Sequence, residues 1–162
     1  MAAQKEASTP ATEAEQILAR LISTDVPKAV AFDARMRTLI SIASLTALGD
    51  ARVLAQVVDS GLAAGVNPLE MREAMVQAMA YSGLPSTIRA QDVLADVLKR
   101  QGKTFPAESS TTVTDESRFA DGLKVQKGIF GAAIDAMHKN ARADERALTV
   151  DLLTGYCFGD TY

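Results

Sequence analysis

The chain has 162 residues and a mass of 17.2 kDa, one domain's worth and enough for a single core. Lys and Arg number 17 against 20 Asp and Glu, a net charge of −3, and no basic run offers a face to a phosphate backbone, which argues against a nucleic-acid partner. Within the chain, one cysteine (Cys157) and one histidine (His138) exclude a disulfide, a CxxC pair and a His-rich metal set, while 48% apolar and 23% charged residues point to a globular protein rather than a disordered one.

Residues 1–12 are Ala/Thr/Glu-rich without the apolar core of a signal peptide, so a disordered tail is expected there. No apolar run reaches the ~18 residues of a membrane span, and a cytoplasmic protein with no membrane partner is expected. The rest reads as helix almost throughout, because Ala, Leu, Met, Gln and Arg dominate and alternating β-branched runs are missing. A short helix is predicted over Glu13–Ile22. A second starts near Asp33 and carries Met36, Leu39, Ile40, Ala43 and Ala47 at helical spacing, with Ile42 and Leu45 on its other faces, until Gly49. A third covers about Asp50–Ala64 with Val53, Leu54, Val57, Val58 and Leu62 on one side, and Gly65 stands where a left-handed cap belongs.

Asn67-Pro68-Leu69-Glu70 reads as N-cap, N1 proline and capping-box acid, opening a helix with Met71, Met75, Val76 and Met79 that stops at Tyr81-Ser82-Gly83. Pro85 starts another, Ser86 to about Gln101, with Ile88, Val93, Leu94, Val97 and Leu98 inward. Gly102–Thr114 is polar, Ser/Thr-rich and interrupted by Pro106, the signature of a linker. Helices are predicted over Asp115–Ile129 and Ala132–Asn140, and a last one from about Asp144 with Leu148, Leu152 and Leu153 inward. The organisation expected is therefore a tail (1–12), core helices (13–101), a linker (102–114) and C-terminal helices (115–162).

Two blocks carry more than generic helix. The first, residues 33–100, contains Arg37-Thr38-Leu39-Ile40 with Ala43 and Leu45-Thr46-Ala47-Leu48, then Gly61-Leu62-Ala63-Ala64-Gly65-Val66, Glu70 and Glu73, and Ala80-Tyr81-Ser82-Gly83-Leu84-Pro85. It resembles the core of the carboxymuconolactone decarboxylase family, with the all-α, alkylhydroperoxidase D-like bundle that this implies. The second, residues 118–162, resembles a segment that in the family precedes this core, through Arg118-Phe119, Gly122-Leu123, Phe130-Gly131 and Phe158-Gly159-Asp160-Thr161-Tyr162. Seen from the family the chain is core first and lead-in second. That order implies a circular permutation, or a truncated relative of two-domain members whose second core is absent or supplied by another chain.

The peroxidase branch of the family uses a Glu, a CxxC pair and a His, at positions that align near Thr38, Asp50, Val53 and Val57; the lactone decarboxylases keep a His where Val57 stands and often a polar group near Gln77. A thiol relay needs two neighbouring sulfurs, and Cys157 has no sequence partner, which weighs against thiol peroxidase chemistry. Decarboxylation beside a lactone requires an apolar pocket, donors facing a developing enolate and an acid to return a proton, with no metal or organic cofactor.

The resemblance makes Asp160 the catalytic acid/base, since it falls where the family's aromatic-Gly-Glu element carries its carboxylate; a solvated terminal Asp is the bland alternative. Arg37, a cation on an apolar helix, would bind a substrate carboxylate or pair with a helix-borne Glu such as Glu73. Gln77 would donate a hydrogen bond into a pocket or sit on the surface, and Tyr81 would line the site or pack the helix end. His138 reads as a solvated residue favoured by a helix C-terminus, and Cys157 as a small buried hydrophobe. Leu39–Leu48, apolar nearly all round, needs cover on every side. With the family's habit of assembly, that implies a homo-oligomer (trimer or hexamer) and admits a related second polypeptide. The expected function is a cofactor-independent lyase or isomerase acting on a small carboxylated or lactone-like molecule. The alternative is a catalytically degenerate subunit that builds an oligomer or completes a partner.

Overall fold

The structure, a computed structural model, describes residues 12–29, 31–108 and 110–162. The expected tail therefore lies outside the described residues, apart from Thr12. The chain divides into two compact units, Met1–Asp33 and Ala34–Tyr162. In the first, α1 (Glu13–Arg20) runs into a π-helical turn (Leu21–Asp25) and the four-residue α2 (Val26–Ala29).

The second unit holds α3 (Ala34–Leu48), α4 (Ala51–Ala63), α5 (Pro68–Ser82), α6 (Leu84–Arg100), α7 (Arg118–Phe130), α8 (Ala133–Asn140) and a C-terminal π-helix (Ala147–Asp160). No strand occurs among the described residues. Local chemistry sets the helix ends, at Asn67 and Gly65 as the sequence predicts. Asp50 caps α4 by accepting from the Val53 N–H at 2.9 Å, and Asn67 caps α5 by accepting from the Leu69 N–H at 2.9 Å. Gly65 follows α4 with φ +83°, a conformation that costs a side chain but not a glycine. Glu70 does more than close a capping box. It accepts from the Asn67 backbone and from Arg35 at the start of α3, whose Nη2 lies 2.5 Å from Oε1. α7 opens on a reciprocal pair, Thr114 N–H to Ser117 Oγ (3.0 Å) and Ser117 N–H to Thr114 Oγ1 (3.2 Å), three residues later than the predicted start.

One face each of α3, α4, α5 and α6 meets in a common core of Ile42, Leu54, Val58, Leu62, Val66, Met71, Met75, Ala90, Leu94, Val97 and Leu98. The Met71–Met75 stripe is buried there, as methionines suit an irregular gap between four helices. α3 touches α4, α5 and α6, so it is central. Ile40 and Leu48 of α3 are exposed, as are Leu84 and Ile88 of α6. Ile88 thus departs from its predicted inward position. It stands one residue after Thr87, which is buried and donates to the Met75 carbonyl (3.3 Å), so the next side chain points away.

The C-terminal helix departs most. Leu148 and Leu152, predicted inward on a 3.6-residue period, are 68% and 51% exposed, whereas Val150, Thr154, Gly155, Cys157, Phe158 and Gly159 are buried. Winding with i→i+5 hydrogen bonds shifts the face that an α period would bury. This helix lies against α7 backbone to backbone. A Cβ on Gly122 would overlap the Thr154 carbonyl oxygen and come within 2.7 Å of the Gly159 nitrogen, and one on Gly159 would overlap the Arg118 carbonyl oxygen.

Two consequences are measurable. Gly122→Ala should lower stability by about 2 kcal/mol or more, since backbone cannot yield as a side-chain tip does, while Gly128→Ala on the same helix, where a methyl meets nothing within 4 Å, should raise it by about 0.5–1 kcal/mol. Urea titration of the two variants reads the contrast. The Arg35 hydrogen bond holds the Glu70 carboxyl below its ordinary range. Its contribution is therefore present above the ordinary glutamate pKa and lost as pH falls through the depressed native value. With both side chains a third or more exposed, Glu70→Gln should cost under about 1 kcal/mol at pH 7 and nothing at pH 2, by thermal melts at the two pH values.

Candidate functional site

A cleft of about 530 Å³ opens where α5, α6, the segment after α6 and the chain's last four residues converge. α5 contributes Arg72, Glu73 and Val76; α6 contributes Gln91; the segment contributes Phe105–Glu108 and Ser110–Val113; the C-terminus contributes Gly159, Asp160, Thr161 and Tyr162.

The predicted linker is one wall of this cleft, tied down rather than slack. Phe105 packs on the common core. The guanidinium of Arg72, its side chain only 12% exposed, donates from Nη1 to the Pro106 carbonyl (2.7 Å) and from Nη2 to the Glu108 carbonyl (2.5 Å). The same group holds Glu73 Oε1 from Nε (3.0 Å) and Nη2 (2.6 Å). A buried cation is thus satisfied by two loop carbonyls and one carboxylate, the arrangement burial demands.

Asp160 enters the cleft from the opposite wall, where Arg118 Nη2 of α7 donates to its Oδ2. Gly159 allows this, because its missing side chain lets the π-helix seat on the Arg118 backbone. Arg118 Nε is buried without a partner. Tyr162 stacks on Phe158 (centroids 4.9 Å apart), which meets Phe130 edge-on at 6.0 Å. Tyr162 Oη also lies 3.4 Å from Tyr81 Oη, and the Cys157 thiol donates to Tyr81 Oη at 3.5 Å. Hydrogen bonding with Cys157 foremost, then with Tyr162, then burial hold the Tyr81 phenol above its ordinary range, so it is a neutral hydroxyl at pH 7.

Of the four residues singled out from sequence, Asp160 alone lines the cleft. Arg37 and Gln77 are half-buried on α3 and α5 away from its walls, and Tyr81 is 66% exposed and reaches the site only through Tyr162. Glu73, the expected partner of Arg37, is bound to its neighbour Arg72. Sequence reasoning passed over Arg72 and Arg118. The available signal was an arginine beside a glutamate on an otherwise apolar helix, and an arginine heading a helix whose partner segment is glycine-spaced.

Elsewhere, His138 stands in the last turn of α8 as expected, but half-buried and with a side-chain partner. Its Nε2 lies 3.2 Å from Thr154 Oγ1, which donates to Gln126 Oε1 at 2.9 Å, a polar trio among α7, α8 and the π-helix. Cys157 is buried, as its reading as a small hydrophobe expects. No group of three or more His, Cys, Asp or Glu among the described residues could hold a metal ion. Nor is any described helix long and apolar enough to cross a membrane.

No curated protein and no solved structure matches the chain. A family model described as the carboxymuconolactone decarboxylase family matches residues 13–96, which takes in α3, α4, α5 and most of α6; the cleft's C-terminal wall lies beyond the match. With half of its length matched and an all-helical architecture, the chain belongs to the carboxymuconolactone decarboxylase family.

Proposed function

We propose that the chain is a cofactor-independent lyase or isomerase acting on a small carboxylated or lactone-like molecule, with Asp160 as its proton-transferring group. One observation carries this: a carboxylate stands on the wall of a 530 Å³ cleft, within the range of small-molecule sites, and is held there by an arginine from another helix. Fixing the carboxylate lowers the cost of orienting it toward a carbon-bound proton. Oδ2 is taken by Arg118, and Oδ1 has no side-chain partner among the described residues. Val76, Phe105, Val113 and Tyr162 supply apolar surface against which an enolate's neutral ring would pack, and threonine and serine hydroxyls are the donors near it.

Arg37, Gln77 and Tyr81, which the sequence suggested as substrate ligands, have no part in this assignment, since they do not line the cleft. The test uses carboxymuconolactone, the molecule in the family's description, and a panel of uncharged γ-lactones in D2O, followed by NMR for CO2 loss and deuterium uptake. Asp160→Asn should cut either reaction by at least about 100-fold with an unchanged circular dichroism spectrum. Equal rates in the variant would remove Asp160 from the chemistry.

A second reading, a degenerate subunit that builds an oligomer, is supported by Val57 at the position of the family's histidine and by the exposed Ile40, Leu48, Leu84 and Ile88. The two are compatible as regards assembly, and both expect a homo-oligomer. Light scattering at micromolar concentration should give a mass several times 17.2 kDa. A clean monomer would remove the assembly from both.

A further inference from the structure

Three polar side chains between α7, α8 and the π-helix lie outside the cleft and take no part in the chemistry assigned to Asp160. Gln126 of α7 and Thr154 of the π-helix are fully buried, and His138 of α8 is half-buried beside them. The Thr154 hydroxyl donates to Gln126 Oε1 at 2.9 Å and lies 3.2 Å from His138 Nε2. Gln126 Nε2 is buried without a partner among the described residues. An apolar side chain would fill this place and leave no donor unpaired, so the trio is better explained by what it specifies than by what it stabilises.

What it specifies is register. Arg118, Gly122 and Gln126 recur every four residues along α7 and so share one face. Antiparallel to that stripe, the π-helix sets Asp160 and Gly159 against Arg118, the Thr154 carbonyl and the Gly159 nitrogen against Gly122, and the Thr154 hydroxyl against Gln126. An ion pair thus stands at one end and a neutral hydrogen bond at the other, with glycine contact between them. Glycine contact lets the two main chains touch; the directional bonds choose among slid or rewound arrangements. Such a choice is needed, because Leu148 and Leu152 give the segment a competing α winding that would turn them inward. A change of winding between Thr154 and Asp160 would swing the carboxylate about the helix axis, away from Arg118.

The count of hydrogens fixes the third member of the trio. Thr154 has one hydroxyl proton, and Gln126 Oε1 can only accept, so that proton is engaged there. Toward His138 the oxygen is then an acceptor, and Nε2 carries the hydrogen. The imidazole is flanked by the Phe119 ring of α7, with centroids 6.2 Å apart, and Arg146 Nη1 donates to the His138 carbonyl at 3.2 Å.

We propose that Thr154, pinned by Gln126 and by the Nε2–H form of His138, is the positioning residue for Asp160: it selects the register and winding that bring the carboxylate to Arg118. Its bearing on proton transfer rests on the assignment of Asp160 made above; the seating does not.

The experiment uses the isotope-labelled full chain and follows the Arg118 Nε–H, a buried reporter of the seated helix, by proton–nitrogen NMR. Thr154→Val keeps the shape of the side chain and removes the hydroxyl, whereas Thr154→Ser retains it. The Arg118 Nε–H should exchange with water at least about tenfold faster in Thr154→Val and within about twofold of the parent in Thr154→Ser, with the buried Leu94 and Val97 amides unchanged in both. Long-range spectra of the parent at pH 8 should place the His138 proton on Nε2. An Nδ1–H ring would overturn His138 as the donor to Thr154, and parent-like exchange in Thr154→Val would overturn the positioning role. If Thr154→Val loosens the Leu94 and Val97 amides as well, His138→Phe decides, since it keeps a ring against Phe119 and removes the donor. Faster Arg118 Nε–H exchange over a protected core then supports the pin, and parent-like exchange overturns it. No substrate enters the readout, so failure here is distinct from failure of the Asp160 assignment.

Discussion

The backbone contact between α7 and the C-terminal π-helix sets the position of everything that follows it. Gly122 and Gly159 leave room for the two main chains to touch at the Thr154 and Arg118 carbonyls, where any side chain would hold them apart. Close approach places Arg118 beside the last turn of the π-helix, and from there its guanidinium reaches Asp160. The aromatic set Phe130, Phe158 and Tyr162 closes the same end. An exposed aspartate would ordinarily sample many orientations. Here backbone seating, an ion pair and ring stacking restrain it, and the π winding turns Cys157, Phe158 and Gly159 inward together.

The facing wall depends on a different economy of contacts. Arg72 leaves α5 nearly buried and binds the main chain at Pro106 and Glu108, while Phe105 inserts beside the four-helix core. A polar segment that could otherwise drift is thereby held as the wall facing Asp160. Bonded to two main-chain carbonyls and to Glu73, the guanidinium works as a clasp between α5 and this segment.

Much of this was legible from residues. The capping signal at Asn67, the punctuation at Gly49, Gly65 and Gly83, and the apolar spacing of α4 are local, so a sequence shows them directly. The family blocks gave the all-helical core, and the second of them contains Asp160, which lines the cleft. What escaped was non-local. Leu148 and Leu152 follow an α period and only the π winding exposes them. Arg72 joins residues 34 and 36 positions away, and Arg118 joins one 42 positions away; neither has a short-range signature. His138 looked solvated because its neighbours Lys139 and Asn140 are polar, yet Thr154 approaches its ring from another element.

Family membership rests on residues 13–96, whereas the carboxylate assigned to the chemistry lies beyond them, so the function depends on whether the C-terminal helix is seated as described. Amide hydrogen exchange reads that seating directly. The account predicts that amides over Thr154–Gly159, and those of α7 around Gly122, are protected to a degree approaching the α3–α6 core, and that Asp160 and Tyr162 slow with them. Exchange of the C-terminal helix at the rate of an unfolded chain, with the core still protected, would contradict it.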